Sequence, residues 1–194
     1  DANALRFTDL QSALNRAAAG DTVAIQAGTY TGNFVVFRDL TLEHAPVDIS
    51  RLDAKQAIDV RAILQASPTG VADQLRTLTA TQSGGLVGRV ITVQSFGADE
   101  NTVRADGDVI VQLRDLTVRN GMAHMGGAIY NRGQLALERM TLAGNAAVNE
   151  YDVNGMPVTL SGLGGALFNS GALTISRTTI SGNRAEYYGG AIYN

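Results

Sequence analysis

Apolar and polar residues alternate with a period of two along much of the chain. Residues 135–142 have the sequence Leu-Ala-Leu-Glu-Arg-Met-Thr-Leu, and residues 173–180 repeat the pattern as Leu-Thr-Ile-Ser-Arg-Thr-Thr-Ile. Alternation of this kind predicts short β-strands that bury one of their two faces. Gly-Asn, Asn-Gly and Gly-Gly pairs separate the runs and supply the positive φ angles that tight turns require.

A longer period repeats this whole pattern of strands and turns. The string Gly-Gly-Ala-Ile-Tyr-Asn occupies residues 126–131 and 189–194, and Gly-Gly-Ala-Leu-Phe-Asn occupies residues 164–169. The steps between their final Asn residues are 38 and 25 residues, and a second Asn column has steps of 25 and 38. That second column consists of Asn120, Asn145 and Asn183. The unit is therefore about 25 residues long, and one unit carries a 13-residue insertion between Asn145 and Gly164.

Two or three short strands, with a turn after each, describe one coil of a solenoid. A single coil cannot bury its own apolar face, so successive coils must stack on one another. We therefore predict an all-β fold, a right-handed parallel β-helix of about six or seven coils with strands about 4.8 Å apart.

The start of the chain predicts a helical cap on this solenoid. The segment from Thr8 to Gln11 has the spacing of a capping box, and Leu10 and Leu14 lie on one face of a helix that ends at Gly20. An amphipathic helix in this position would cover the open edge of the first coil. An ordinary surface helix is the alternative interpretation.

We expect residues 1–194 to form a single β-helix domain. Its predicted parts are a capping helix at 8–20, irregular first coils at 21–82, regular repeats at 83–194 and a hairpin insertion near 147–159. The sequence stops in the middle of a repeat at Asn194. We therefore expect the last coil, with Ile192 and Tyr193, to be covered by further residues of a longer protein or by another copy of the chain.

The insertion contains the strongest hairpin signal in the chain. Asn154 and Gly155 stand between apolar residues, which favours a hairpin with a two-residue connection. A hairpin that projects from the solenoid would offer Tyr151, Val153, Asn154 and Met156 to a partner. A hairpin that folds flat on its own coil is the alternative.

Composition excludes several classes of function. Only 17% of the residues are charged, the formal net charge is −3, and Lys55 is the single lysine. This balance disfavours a protein that binds nucleic acid, because affinity for the phosphate backbone depends on clustered cations. No run of 18 apolar residues occurs, so no segment is predicted to span a bilayer. The chain has no cysteine, which excludes disulfides, thiol nucleophiles and cysteine-ligated metal sites.

The repeat strings resemble those of polymorphic outer-membrane proteins and related large right-handed β-helix surface proteins. The resemblance rests on Gly-Gly-Ala-Ile-Tyr-Asn and on the order of segments from Ser83 onward; it covers residues 8–37 and 83–194. The opening from Gly20 to Tyr30 is similar to the first coil of many pectate-lyase-like β-helices. The resemblance implies a bacterial extracellular or cell-surface setting, but the same solenoid carries lyases, adhesins and inert stalks.

A polysaccharide lyase on this scaffold would need a strong base and a cation that stabilises the anion formed. Lys55 is the candidate base. It lies in the same segment as Asp53 and Asp59, and a solvated loop lysine is the favoured interpretation. The candidate calcium ligands are Asp99, Glu100, Asp106 and Asp108, the densest acidic group in the sequence. This group lacks the spacing of a calcium loop, and a solvated turn is the favoured interpretation.

The remaining titratable residues make no pattern typical of catalysis. Asp115 and Glu138 stand beside Arg114 and Arg139 in the repeat strands, which predicts exposed ion pairs that contribute little to stability. The two histidines, His44 and His124, are isolated in the sequence. The chain also lacks tryptophan, so aromatic platforms for sugars are scarce.

The sequence therefore favours a non-enzymatic extracellular protein with a structural or adhesive role and no cofactor, calcium being the one open possibility. Expected partners are further copies of the chain in an oligomer or fibre, the rest of a larger surface protein, or a receptor or glycan on a neighbouring cell. A secreted calcium-dependent polysaccharide lyase is the alternative. A third hypothesis is a monomeric receptor-binding domain that loses binding when residues 147–159 are deleted.

Overall fold

The computed structural model describes most of the repeat region and part of the start of the chain. The described residues are 5–26, 29–45, 62–65, 88–94, 109–156 and 161–194. They form one helix, α1 (Leu10–Arg16), and 18 short β-strands.

The strands fall into five successive coils. The first two coils contain β1 (Thr22–Ile25), β2 (Thr29–Thr31), β3 (Phe34–Val36), β4 (Leu40–His44), β5 (Ala62–Gln65) and β6 (Ile91–Val93). The third contains β7 (Ile110–Arg114), β8 (Leu116–Arg119), β9 (Met122–Ala123) and β10 (Ile129–Asn131). The fourth contains β11 (Gln134–Glu138), β12 (Thr141–Ala143), β13 (Ala146–Ala147) and β14 (Leu167–Asn169). The fifth contains β15 (Ala172–Ser176), β16 (Thr179–Ser181), β17 (Arg184–Ala185) and β18 (Ile192–Tyr193).

Equivalent strands of successive coils stack into four parallel sheets. The sheet orders are β1-β4-β7-β11-β15, β2-β5-β8-β12-β16, β3-β6-β10-β14-β18 and β9-β13-β17. This confirms the predicted all-β parallel β-helix. The described strands make five coils rather than the predicted six or seven, and β6 pairs with both β3 and β10.

The helix lies over the first coil, as predicted for a cap. Leu10 and Leu14 are buried against the core, and the side-chain amide of Gln11 bonds the backbone of Val35 in β3. The predicted capping box at Thr8 and Gln11 is wrong. Asp9 is the N-cap, and its carboxylate accepts a hydrogen bond from the Ser12 N–H at 2.8 Å. The side chain of Gln11 therefore takes no part in the cap and instead bonds the backbone N–H and C=O of Val35 at the edge of the sheet.

Side chains of one type stack above one another because the register is constant from coil to coil. Leu135 pairs with Val111 on one side and Leu173 on the other, and all three side chains contribute to the core. The sequence left open which of two neighbours in the Gly-Gly-Ala-Ile-Tyr-Asn string points inward. Ile129 is fully buried, whereas Tyr130 is only partly buried, since adjacent strand residues face opposite ways.

The corner between the first two sheets uses side-chain-bearing residues in the left-handed region. Asp115, Arg139 and Arg177 have φ angles of 56°, 53° and 50° at equivalent positions in three coils. The sequence pattern predicts positive φ angles only at glycine and asparagine, so this corner was not predicted. A left-handed conformation costs such a residue about 1 to 2 kcal/mol, so the stacked coils must impose it.

Candidate functional site

The 13-residue insertion leaves the solenoid at one corner and returns to it. β13 pairs with β9 and β17 up to Ala147, and Leu163 then forms bridges with Met125 of the coil before and Tyr188 of the coil after. The insertion thus lies between Ala147 and Leu163, within the limits that the Asn columns predicted. We call residues 148–156, together with the neighbouring turn 186–188, the insertion corner.

His124 and Glu186 anchor the base of the insertion to the coils on either side. The Nδ1 atom of His124 lies 3.0 Å from the Val148 carbonyl oxygen, and its Nε2 atom lies 3.8 Å from the Glu150 carboxylate. From the other coil, the Glu186 carboxylate accepts a hydrogen bond from the Asn149 N–H at 2.8 Å. His124 is isolated in the sequence but belongs to this corner in the structure.

The tip of the insertion is a turn built on Asp152. Its backbone N–H donates to the Met156 carbonyl at 2.8 Å, and its carbonyl accepts from the Gly155 N–H at 3.0 Å. The predicted two-residue connection is therefore wrong: three residues, Val153 to Gly155, separate Asp152 from Met156. This is the three-residue arrangement in which a glycine with positive φ completes a turn, and Gly155 has φ of 75°.

The Asp152 carboxylate organises this turn from within. One of its oxygens accepts hydrogen bonds from the backbone N–H groups of Asn154 and Met156, at 2.8 and 2.9 Å. These two bonds lower the pKa of Asp152 below its ordinary value, because they stabilise the ionised form. The turn therefore depends on a carboxylate that stays charged at neutral pH.

Exposed apolar side chains concentrate at the insertion corner. The structure exposes nine large apolar side chains among the described residues, and five of them lie here. They are Tyr151, Val153, Met156, Tyr187 and Tyr188. The first three match the predicted partner interface in being exposed, and Asn154 is exposed with them.

Tyr187 and Tyr188 were missed by the sequence analysis. Their ring centroids lie 4.2 Å apart with a tilt of 50°, and a hydrogen bond with Tyr188 raises the pKa of Tyr187. The available signal was the pair of adjacent tyrosines directly before a Gly-Gly-Ala-Ile string, where the alternating pattern breaks. Both rings lie beside the insertion because Tyr187 N–H donates to the Gly162 carbonyl at 3.0 Å.

Ile192 and Tyr193, the other two predicted interface residues, lie on β18 in the last coil rather than on the insertion. Ile192 packs partly against the core, and Tyr193 stacks on Phe168 with centroids 5.4 Å apart. The structure therefore divides the predicted interface residues between two places, the insertion corner and the last coil.

The last coil leaves its apolar column partly uncovered. Ile175 is 37% exposed, whereas Leu137 at the equivalent position of the preceding coil is 1% exposed. Leu173 and Ile180 are likewise only partly buried. The apolar column is thus less buried in this coil than in the coils before it.

Two polar ladders run through the stacked coils. In what we call the asparagine ladder, Asn131 donates through Nδ2 to Asn169 Oδ1, and Asn169 donates in the same way to Asn194, each at 2.6 Å. In the second, Asn145 Nδ2 donates to Asn183 Oδ1 at 2.9 Å. Buried amides that bond in register fix the stacking of each coil on the next.

An aromatic stack follows the outer face of the sheet that contains β10 and β14. Tyr130, Phe168 and Tyr193 lie nearly parallel, with centroid distances of 5.3 and 5.4 Å. The Arg89 guanidinium covers the ring of Tyr130 at 4.5 Å and donates to the Met125 carbonyl. Burial lowers the pKa of Arg89 to about 10, so the side chain remains cationic at neutral pH.

The predicted ion pairs of the repeat strands are present at the opposite corner. Arg139 binds Asp115 through two hydrogen bonds of 2.7 Å and also contacts Glu138, while Arg114 lies 3.3 Å from Glu138. All four side chains are about one-third exposed. Opposite charges are thus already paired there, and the arrangement offers no pair of free carboxylates for hydrolysis.

The candidates for lyase chemistry fall outside the part of the chain that the structure describes. They are Lys55, Asp53, Asp59, Asp99, Glu100, Asp106 and Asp108. Among the described residues, no group of three or more His, Asp or Glu side chains could hold a metal ion. His44 lies at the end of β4, and its Nε2 atom is buried with no hydrogen-bond partner among the residues that the structure describes.

Comparison with known families gives one match. Residues 177–194 match the model of the Chlamydia polymorphic membrane protein repeat. This confirms the resemblance to polymorphic outer-membrane protein repeats, over 18 of the 194 residues. Comparisons with curated proteins and with solved structures gave no significant match.

Among the described residues, α1 is the only helix, and it has seven residues. No helix in this part of the chain is long and apolar enough to cross a membrane.

Proposed function

We propose that the protein is a non-catalytic module of the bacterial cell surface, in which a stiff β-helix displays the insertion corner to another protein. The observation that carries this proposal is the concentration of exposed apolar side chains on a corner that the rod holds in place. Tyr and Met side chains are enriched in protein–protein contacts, and exposed apolar clusters mark interaction sites more often than isolated residues do.

The corner is prepared for binding because its backbone is already fixed. The bonds from His124, Glu186 and Asp152 hold the base and the tip of the insertion without a partner. A loop that is ordered before binding loses less conformational entropy in the complex.

The insertion corner carries more negative than positive charge. Its apolar side chains have three carboxylates near them in the sequence, at Glu150, Asp152 and Glu186, and one guanidinium, at Arg184. A partner with a basic rim fits this charge balance.

The last coil supports the second half of the proposal, that the rod continues by stacking on another coil. Its exposed Ile175 and its partly buried Leu173 and Ile180 would be covered by such a contact. Asn183 and Asn194, the outermost members of the two polar ladders, stand in register to continue them. The incoming coil belongs either to the same polypeptide or to a second copy of it.

Attachment of bacteria to neighbouring cells tests the display role. We would compare cells that carry the wild-type protein with cells that carry Val153→Ser/Tyr188→Ser, at equal surface accessibility to an antibody. Ile110→Ser is the matched control, because Ile110 is an exposed apolar residue away from the corner. The proposal requires loss of attachment for the double variant alone. Equal attachment by all three, or antibody access only after lysis, would refute it.

Electron microscopy of the purified protein at rising concentration tests the stacking role. If the last coil stacks on another copy, rods longer than one protein will form, and Ile175→Glu will abolish them because it buries an unpaired charge. Single short particles at every concentration would eliminate self-assembly and leave stacking within a longer polypeptide.

A further inference from the structure

The chain contains two Asn-Gly pairs with exposed asparagines, and the structure buries the glycine of one pair and exposes the glycine of the other. They are Asn120-Gly121 in the regular coils and Asn154-Gly155 at the tip of the insertion. In any Asn-Gly pair, the glycine has no Cβ to block approach of its backbone nitrogen to the asparagine side chain. Whether that approach takes place depends on how firmly the fold holds the two residues.

Asn120-Gly121 is held by the stacked coils. Gly121 is buried, and its N–H donates to Asn145 Oδ1 at 2.9 Å. A Cβ at Gly121 would lie 1.9 Å from the Gly127 carbonyl oxygen, so the backbone has no space in which to rearrange. The amide of this pair reacts only if the coil opens locally.

Asn154-Gly155 lies in open space. Both residues are exposed, and no atom of the described residues lies within 4 Å of the position that a Cβ on Gly155 would occupy. In the same part of the chain, the side-chain nitrogen of Asn154 makes one long contact, 3.4 Å to an oxygen of Asp152. One backbone hydrogen bond, from Gly155 N–H to the Asp152 carbonyl, must break for the turn to rearrange.

We propose that Asn154 is a site of spontaneous deamidation that changes the insertion corner with time. The Gly155 backbone nitrogen attacks the Asn154 side-chain carbon, Cγ, and a new C–N bond closes a five-membered succinimide. The bond from Cγ to Nδ2 breaks, and Nδ2 leaves as ammonia with the proton from the Gly155 nitrogen. Water then opens the ring at either carbonyl, which yields aspartate or isoaspartate at position 154.

The product changes the proposed contact surface in two ways. A fourth carboxylate joins Glu150, Asp152 and Glu186, and it lies two residues from Asp152, where like charges repel. Isoaspartate also lengthens the main chain by one atom, which breaks the pairing of Asp152 with Met156. Val153 and Met156 then lose their fixed positions, so binding at this corner should decline as the protein ages.

The asparagines of the polar ladders differ from Asn154 in both their hydrogen bonds and the residue that follows them. Asn131, Asn145, Asn169 and Asn183 use their side-chain amides in the polar ladders. They are followed by Arg, Ala, Ser and Arg, whose Cβ atoms hinder the attack. Of the two Asn-Gly pairs, the structure therefore favours reaction at Asn154.

Peptide mass spectrometry of the folded protein after prolonged incubation at neutral pH tests the proposal. The mass gain that replaces NH₂ by OH is expected on the peptide with Asn154 at least about tenfold faster than on the peptide with Asn120, which must open first. A synthetic peptide of residues 151–156 serves as the unfolded reference, and Asn154→Gln serves as the variant that lacks the reaction. Equal rates at Asn120 and Asn154, or no gain at Asn154 while the synthetic peptide reacts, would overturn the proposal.

Discussion

The stacked coils and the insertion corner satisfy their polar groups in opposite ways. In the asparagine ladder, Asn169 is bonded by an identical side chain from the coil before and bonds another in the coil after, so each amide depends on its neighbours. In the insertion, Asp152 satisfies the turn from within, through backbone groups only two and four residues away. The first arrangement is non-local and the second is local.

This difference indicates that the stacked coils stabilise the fold, whereas the insertion corner carries the surface that we propose binds a partner. A non-local ladder loses several bonds when one member is removed, because buried groups in adjacent coils lose their partners. The turn at Asp152 makes its side-chain hydrogen bonds within residues 152–156, so its removal leaves no such groups in the coils without partners. The solenoid can therefore change its exposed corner without change to its rod, and equivalent substitutions in the two regions should differ sharply in cost.

Replacement of a ladder asparagine should have the largest effect. Asn145→Leu leaves the Gly121 N–H and the Val118 carbonyl without their partner inside the rod, which should lower the free energy of unfolding by about 4 kcal/mol. Asn154→Leu at the corner should change it by less than about 0.5 kcal/mol. Urea unfolding measures both. Similar losses in the two variants would contradict the division into two regions.

Glycine substitutions give the next largest contrast. A Cβ at Gly165 would lie 2.1 Å from the Gly190 carbonyl oxygen, so Gly165→Ala forces adjacent coils apart and should cost about 3 kcal/mol. The Cβ of Gly155→Ala would lie near no atom of the described residues, so the substitution should cost only the strain of its positive φ, about 1 kcal/mol. Thermal unfolding of the two variants at the same concentration checks this order. A larger loss for Gly155→Ala would show that the insertion supports the rod.

Aromatic residues should show a smaller contrast of the same sign. Phe168→Ala removes the central ring of the aromatic stack and should cost about 2 kcal/mol, since two ring contacts and buried area are lost. Tyr188→Ala removes an exposed ring and should cost about 0.5 kcal/mol or less. Denaturant unfolding compares them directly. Equal costs would place Tyr188 among the structural residues.

The smallest effect is a change of the turn with pH. The pKa of Asp152 is lower in the folded turn than in an unfolded chain, so its contribution is present above the ordinary value of 3.8 and is lost as pH falls through the lower folded pKa. The amide signals of Asn154 and Met156 should therefore shift in NMR spectra only below about pH 4. Core amides such as that of Ile129 should stay unchanged over the same range, and a midpoint above the ordinary value would contradict the observed bonding.

The repeats made the fold predictable from the sequence, whereas the choice between neighbouring polar side chains that could cap the same helix was not predictable. The Asn columns at 145 and 183 predicted the coils and the position of the insertion, because the same spacing is repeated with a single interruption. The N-cap was misassigned because both Thr8 and Asp9 can cap a helix. Only the structure shows that Gln11 is engaged by the edge strand.

The candidate site was predictable only in part. Tyr151, Val153 and Met156 follow from the apolar residues around Asn-Gly, but the turn closes around Asp152, whose carboxylate competes with the expected two-residue connection. Tyr187 joins the corner through a contact between coils, and such a contact has no local signature. The alternating pattern predicts the strands, but it does not predict which corner of the solenoid carries the exposed apolar side chains.

Replacement of the insertion tests the central claim most directly. Residues 148–162 would be exchanged for Glu-Tyr, the two residues that join Ala185 to Tyr188 in the next coil. If the rod stands without the insertion, the free energy of unfolding should be unchanged or higher by up to about 2 kcal/mol, because a shorter loop costs less entropy to close. A fall of several kcal/mol, or a change in the slope of the urea transition, would show that the insertion is part of what holds the coils together.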